Sequence, residues 1–154
     1  PVGACGGRAD VMDKLAPLGG VYQAGTLSGN PLATAAGLAT LALLEEPGVF
    51  DRAVRAAETL CAGLLEAAKA GGVPLCVQRV GTMFTAFFQE GPVTDFASAK
   101  RSDAARFGRF HAAMLDRGVY LPPSQFEAAF ASAAHSEGDV ARTLEAARAA
   151  MRAA

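Results

Sequence analysis

Tyr22-Gln23-Ala24-Gly25-Thr26-Leu27-Ser28-Gly29-Asn30-Pro31-Leu32-Ala33 gathers two glycines, two aliphatic hydroxyls and a helix start into twelve positions. Asn30 can accept hydrogen bonds from the first unpaired N–H groups of a helix, and Pro31 at the first helical position forfeits no bond. Ahead of that start, glycine lets the backbone come close to an anion, and Thr26 or Ser28 can donate a hydroxyl hydrogen bond. The helix end adds free N–H groups and a positive dipole end. As a bare pattern the stretch suits a phosphate-binding loop or an ordinary capped turn, because it has neither a Walker lysine nor the Rossmann glycine spacing.

Working outward, the helix that begins here is expected over residues 32–46. Ala33, Ala35, Ala36, Gly37 and Ala39 permit close packing, and Leu38, Leu41, Leu43 and Leu44 supply apolar surface. Upstream, residues 8–18 carry a shorter helical pattern stopped by Pro17 and Gly19-Gly20. Downstream, Pro47-Gly48 breaks the chain before a second long helix over residues 49–70, which Gly71-Gly72 ends. Residues 75–80 and 83–89 then read as two strands joined by Gly81-Thr82, the second rich in the β-favouring Phe84, Thr85, Phe87 and Phe88.

A third helix is expected from Ser102, as its N-cap, to Arg117, with Phe107, Phe110 and Met114 on one stripe and Gly118 as its stop. Val119 to Leu121 reads as a short strand broken by Pro122-Pro123, and residues 126–132 as a weaker one. Ser136 and Asp139 form a capping-box start for a last helix whose Val140, Leu144, Ala147 and Met151 align. The order of elements predicts an α+β domain over residues 47–154, with residues 1–46 belonging to a neighbouring α/β layer.

The 154 residues suffice for one real core, and the net charge of −1 with a pI near 6.2 gives no basic surplus for nucleic acid or an anionic membrane. Much of the 51% hydrophobic content is alanine, and charged residues interrupt every apolar run before it could span a bilayer. Cys5, Cys61 and Cys76 are odd in number and lack metal-ligand spacing, which fits reduced thiols in the cytoplasm. Pro1-Val2-Gly3-Ala4-Cys5-Gly6-Gly7-Arg8 has no initiator Met and no apolar leader, and it reads like the interior of a longer protein.

The segment Tyr22 to Ala33 resembles the part of the class III pyridoxal-phosphate aminotransferases in which a Gly-Thr pair reaches the cofactor phosphate of the neighbouring subunit. Its Leu27-Ser28 pair, where transaminase relatives commonly have Phe-Gly, resembles the glutamate-1-semialdehyde aminomutase branch. Pro1-Val2-Gly3-Ala4 with Gly6-Gly7-Arg8 resembles the stretch just after the family's Schiff-base lysine. Gly81-Thr82-Met83-Phe84 and Gly118-Val119-Tyr120-Leu121-Pro122-Pro123-Ser124-Gln125-Phe126-Glu127 carry the likeness on to Ala134-His135, so it covers nearly the whole chain.

That resemblance implies the carboxy-terminal portion of a fold-type I enzyme: the trailing piece of the large cofactor domain, then the small α+β domain. It also implies pyridoxal 5'-phosphate as cofactor, a homodimer, and an amino-aldehyde substrate converted to 5-aminolevulinate for tetrapyrrole synthesis. Gly25 and Thr26 would hold the phosphate, and Glu127 would be an active-site carboxylate. Transaminase relatives usually carry an Arg for the substrate carboxylate shortly after the late glycine-rich segment, and Ser124 to His135 contains none. The Schiff-base lysine would precede Pro1. Lys14, Lys69 and Lys100 read as solvated surface charges that do not replace it, so this chain by itself is expected to be inactive. An isolated non-catalytic domain, or part of an ordinary class III transaminase, are the competing readings. His111 reads as a partly buried structural side chain, His135 has no chemical role that the sequence reveals, and Glu45-Glu46 reads as a solvated pair.

Overall fold

The computed structural model describes residues 3–154, so Pro1 and Val2, which open the resemblance after the lysine, lie outside the described residues. The chain divides into two compact units, one ending at Pro47 and the other running Gly48–Ala154.

In the first unit, α1 (Ala9–Met12) is a single turn and does not fill the expected span of residues 8–18. Beyond it the chain folds back: Ala16 N–H donates to the Val21 carbonyl at 2.9 Å and Val21 N–H to that of Lys14 at 2.8 Å. A Cβ on Gly19 would collide with the backbone of Lys14, so only glycine permits this reversal. Lys14 therefore sits in an exposed turn rather than on a helix. α2 (Pro31–Glu45) starts where the Asn-Pro signal places it, with Asn30 Oδ1 accepting from Ala33 N–H at 3.1 Å. None of its residues is buried, and Leu32 and Leu38 are 79% and 65% exposed.

The second unit begins with α3 (Val49–Gly71), whose buried positions Ala53, Ala57, Leu60, Leu64, Ala67 and Ala68 recur at helical spacing on one face. Gly72 ends it in the left-handed conformation, φ +66°. β1 (Cys76–Val80) and β2 (Met83–Phe87) pair antiparallel with Val80 opposite Met83, which leaves Gly81-Thr82 as a two-residue turn. Gly81 takes φ +57° there, the geometry that makes such short turns favour glycine.

α4 (Phe96–Ala99) has no counterpart among the expected elements. A capping box made by Asp95 and Ser98 supports it, with Ser98 N–H donating to Asp95 Oδ1 at 2.6 Å. α5 (Ala104–Leu115) is capped by Asp103, whose Oδ1 accepts from Arg106 N–H at 2.9 Å, rather than by Ser102, which is buried one position earlier. Val119 to Leu121 joins no ladder: Val119 N–H bonds back to the Met114 carbonyl at 3.0 Å, a helix-end contact that competes with strand pairing. The strand expected over residues 126–132 contracts to β3 (Ala129–Phe130), which extends the sheet in the order β1-β2-β3. α6 (Glu137–Met151) begins with the expected capping box of Ser136 and Asp139 and buries Val140, Leu144, Ala147 and Met151. No helix among the described residues is long and apolar enough to cross a membrane.

The core lies where α3, α5 and α6 meet the hairpin. Phe88, Phe110, Met114 and Met151 are each no more than 2% exposed, and Phe88 and Phe110 meet as tilted rings 5.3 Å apart. Gly63 lies in α3 against Leu144 of α6, where a Cβ would run into the leucine side chain. Because Leu144 is itself buried, it has little freedom to move aside. Gly63→Val is therefore expected to destabilise the chain by about 1–3 kcal/mol through overpacking. Met114→Ala should cost about 2–5 kcal/mol through a cavity. Urea midpoints with unchanged slopes check both.

The α6 cap also gives stability an acid limb. The Ser136 hydroxyl, followed by its backbone N–H, holds the Asp139 carboxyl below its ordinary range, and Arg142 pairs with the same group. Since the folded-state value is depressed, the contribution is fully present above the unfolded value, about 3.9, and disappears as pH falls through the folded one. Asp139→Ala should lower stability at neutral pH and flatten its decline below about pH 4; denaturant midpoints taken across that range would reveal an unchanged slope if the cap did not matter.

Candidate functional site

The residues that the sequence singles out fall in both units. Gly25 and Thr26 come together with Ser28 in two successive turns ahead of α2. Ser28 N–H donates to the Gly25 carbonyl at 3.0 Å, and Asn30 N–H to the Leu27 carbonyl at 3.0 Å. Gly29 takes φ +74° between them. A Cβ on Gly25 would lie 2.9 Å from Ser28 Oγ, a contact that the exposed hydroxyl can relieve by rotating. Among the described residues the N–H groups of Thr26, Leu27 and Gly29 find no acceptor, and the hydroxyls of Thr26 and Ser28 are exposed. Such a turn offers several donors immediately before a 15-residue helix whose N-terminal end carries a partial positive charge. A phosphate group, an anion that accepts hydrogen bonds, fits that donor set.

Glu127 lies in the second unit, in the irregular loop between α5 and β3. Its N–H donates to the Ser124 carbonyl at 3.1 Å, and its carbonyl accepts from Thr85 Oγ1 of β2 at 3.3 Å. The loop borders a cavity of about 250 Å³, apolar along Phe84, Phe88, Phe110 and Met114 and polar at Gln125 and Glu127. Gln125 is a buried amide for which the sequence offers one hint, a polar residue between Pro122-Pro123 and Phe126.

The remaining candidates have structural work. His111 Nε2 donates to the Leu121 carbonyl at 3.0 Å while its ring lies against Phe107 and Tyr120, which braces the start of the same loop. His135 Nδ1 accepts from Ser132 N–H at 3.0 Å and closes a turn before α6. Lys14, Lys69 and Lys100 are exposed, with Lys100 Nζ 5.4 Å from the centre of the Phe96 ring. Burial pushes the Cys61 thiol up, which keeps it in its unreactive protonated form. No group of three or more His, Cys, Asp or Glu among the described residues could hold a metal ion.

The aminotransferase class-III family model matches residues 1–128. Two curated relatives, glutamate-1-semialdehyde 2,1-aminomutases of Myxococcus xanthus and Thermomicrobium roseum, are each 58% identical, over 152 and 151 residues. They match 99% and 98% of this chain, which spans 35% of the length of either relative. Among solved structures, an omega-transaminase from Sphaerobacter thermophilus aligns with a TM-score of 0.73 at 28% identity, over 96% of this chain and 34% of that one. A glutamate-1-semialdehyde aminomutase from Pseudomonas aeruginosa PAO1 shares the fold with a TM-score of 0.70 at 24% identity, over 92% of this chain and 32% of that one. With a family model matched over most of its length and a fold shared with these enzymes, the chain belongs to the class-III aminotransferases.

Proposed function

We propose that this chain forms the carboxy-terminal part of a pyridoxal-phosphate-dependent aminomutase that converts glutamate-1-semialdehyde to 5-aminolevulinate for tetrapyrrole synthesis. The observation that carries this reading is the 58% identity, along nearly the whole chain, to two relatives of that name. The unit ending at Pro47 is assigned to the large cofactor domain and Gly48–Ala154 to the small domain. The absence of Arg from Ser124 to His135 supports an aminomutase over a two-substrate transaminase.

When bound, the cofactor supplies the electron sink for moving an amino group between adjacent carbons. The residues of this chain bind and orient. The Thr26 hydroxyl and the free N–H groups around Gly25 hold the phosphate, and in a homodimer they serve the partner subunit's cofactor. Glu127 supplies an acceptor for the ammonium of a bound amino-aldehyde. The lysine that links to the cofactor is assigned to the rest of the longer protein, so this chain alone is inactive. The protein works in the cytoplasm, in keeping with its free thiols.

A hydrogen bond to a charged group contributes about 1.5–3 kcal/mol, so Thr26→Ala in the full-length protein should weaken cofactor binding about 10- to 100-fold. Absorbance titration of the apoenzyme measures this directly, and unchanged affinity would remove Thr26 from the phosphate site. The full-length protein, given glutamate-1-semialdehyde, should yield 5-aminolevulinate without consuming an external amino donor. Release of a keto acid from such a donor would instead assign it to the transaminases.

A further inference from the structure

Gln125 is 4% exposed, and its Oε1 meets no hydrogen-bond partner among the described residues. Its Nε2 donates to the Ser102 carbonyl at 3.5 Å, a long bond, and the Ser102 hydroxyl is likewise without a partner. A buried amide so poorly matched costs stability that a leucine of similar size would not. Its place in the fold gives it a use. The segment from Leu121 to Glu127 joins no strand ladder; side-chain hydrogen bonds tie it to the rest of the unit at three points, and the Phe126 ring packs 5.9 Å from that of Phe96. His111 reaches the Leu121 carbonyl at 3.0 Å, Gln125 reaches the Ser102 carbonyl, and Thr85 reaches the Glu127 carbonyl at 3.3 Å.

The second and third of these points lie within one tight turn from Ser124 to Glu127. Phe126 N–H donates to Ser124 Oγ at 3.2 Å and Glu127 N–H to the Ser124 carbonyl at 3.1 Å. Gln125 lies inside this turn, so its side-chain direction and the position of Glu127 are set by the same few backbone torsions. Both residues border the one 250 Å³ cavity.

We infer that Gln125 is a positioning residue for Glu127: its buried amide ties the turn to the Ser102 carbonyl and so fixes where the Glu127 carboxylate is presented. The inference rests on Glu127 being the active-site carboxylate of the proposed function. An apolar replacement leaves the core filled and releases the tie, so it acts on catalysis more than on folding.

The test uses the full-length enzyme with Gln125→Leu, Glu127→Gln and the double variant, each measured for thermal midpoint, cofactor affinity, kcat and KM with glutamate-1-semialdehyde. Q125L should keep its cofactor affinity and nearly its thermal midpoint while kcat falls about 10- to 100-fold, the scale of a misplaced catalytic group. The double variant should be no slower than E127Q alone, because a residue acting through Glu127 has nothing to position once that carboxylate is gone. Losses that multiply, or a Q125L enzyme as fast as the parent, would overturn the positioning role while leaving the proposed function intact. An E127Q enzyme with parental kcat and KM would sink the Glu127 assignment, and this inference with it. Should Q125L fail to fold, Gln125→Met, unbranched and of similar length, carries the same comparison.

Discussion

The second unit depends on the close approach of α3 and α6. Gly63 faces Leu144 without room for a Cβ, and Ala57, Ala147 and Ala150 are fully buried. Small residues on helices allow axes to come near, and the chain is rich in alanine where that approach is made. Once the two helices are locked, α5 has one place to lie. Its Phe110 and Met114 complete a core whose other large members are Phe88 of the hairpin segment and Met151 of α6. Everything that concerns Glu127 hangs from this arrangement, because the loop that bears it is fixed to α5 by His111, to the approach of α5 by Gln125, and to β2 by Thr85.

The long helices are the legible part of the fold, whereas the pattern over residues 8–18 yields only the single turn of α1. α3 and α6 show both a buried stripe and chemically specific ends, so Gly72 at one and the Ser136–Asp139 box at the other stand where the sequence puts them. α5 was displaced by one position at its start because Ser102 and Asp103 are both good caps, and only burial of Ser102 decides between them. α4 is too short for its four residues to carry a periodicity, and the Asp95–Ser98 capping box is its one local signal. The strands were overextended after Gly118: alternation in a short apolar run cannot distinguish a ladder from a loop tied down by side chains.

The surroundings of the candidate site residues are legible unevenly, for a related reason. The turn around Gly25 and Thr26 is local, so spacing along the chain already specifies which donors stand together. Gln125 shows the opposite case. Its burial and its bond to Ser102 join positions 23 residues apart, and a contact over that separation leaves no pattern in sequence. Glu127 stands between these cases: family likeness singled it out, whereas the supports that hold its loop emerge only from the packing.

The two units also differ in how their helices are made, and that contrast bears on the domain assignment. α3, α5 and α6 each bury one face and present polar residues elsewhere, which suffices for a core within Gly48–Ala154. α2 has only Thr34, Thr40 and Glu45 as polar side chains and buries no residue, and no described residue before Gly48 is buried. A helix of that composition is suited to enclosure by other layers rather than to a surface. The likeness to the curated relatives spans both units, since it covers 99% of the chain. Conventional core packing therefore accounts for the second unit's sequence, whereas the apolar, unburied α2 supports the proposed assignment of the first unit to a larger cofactor domain.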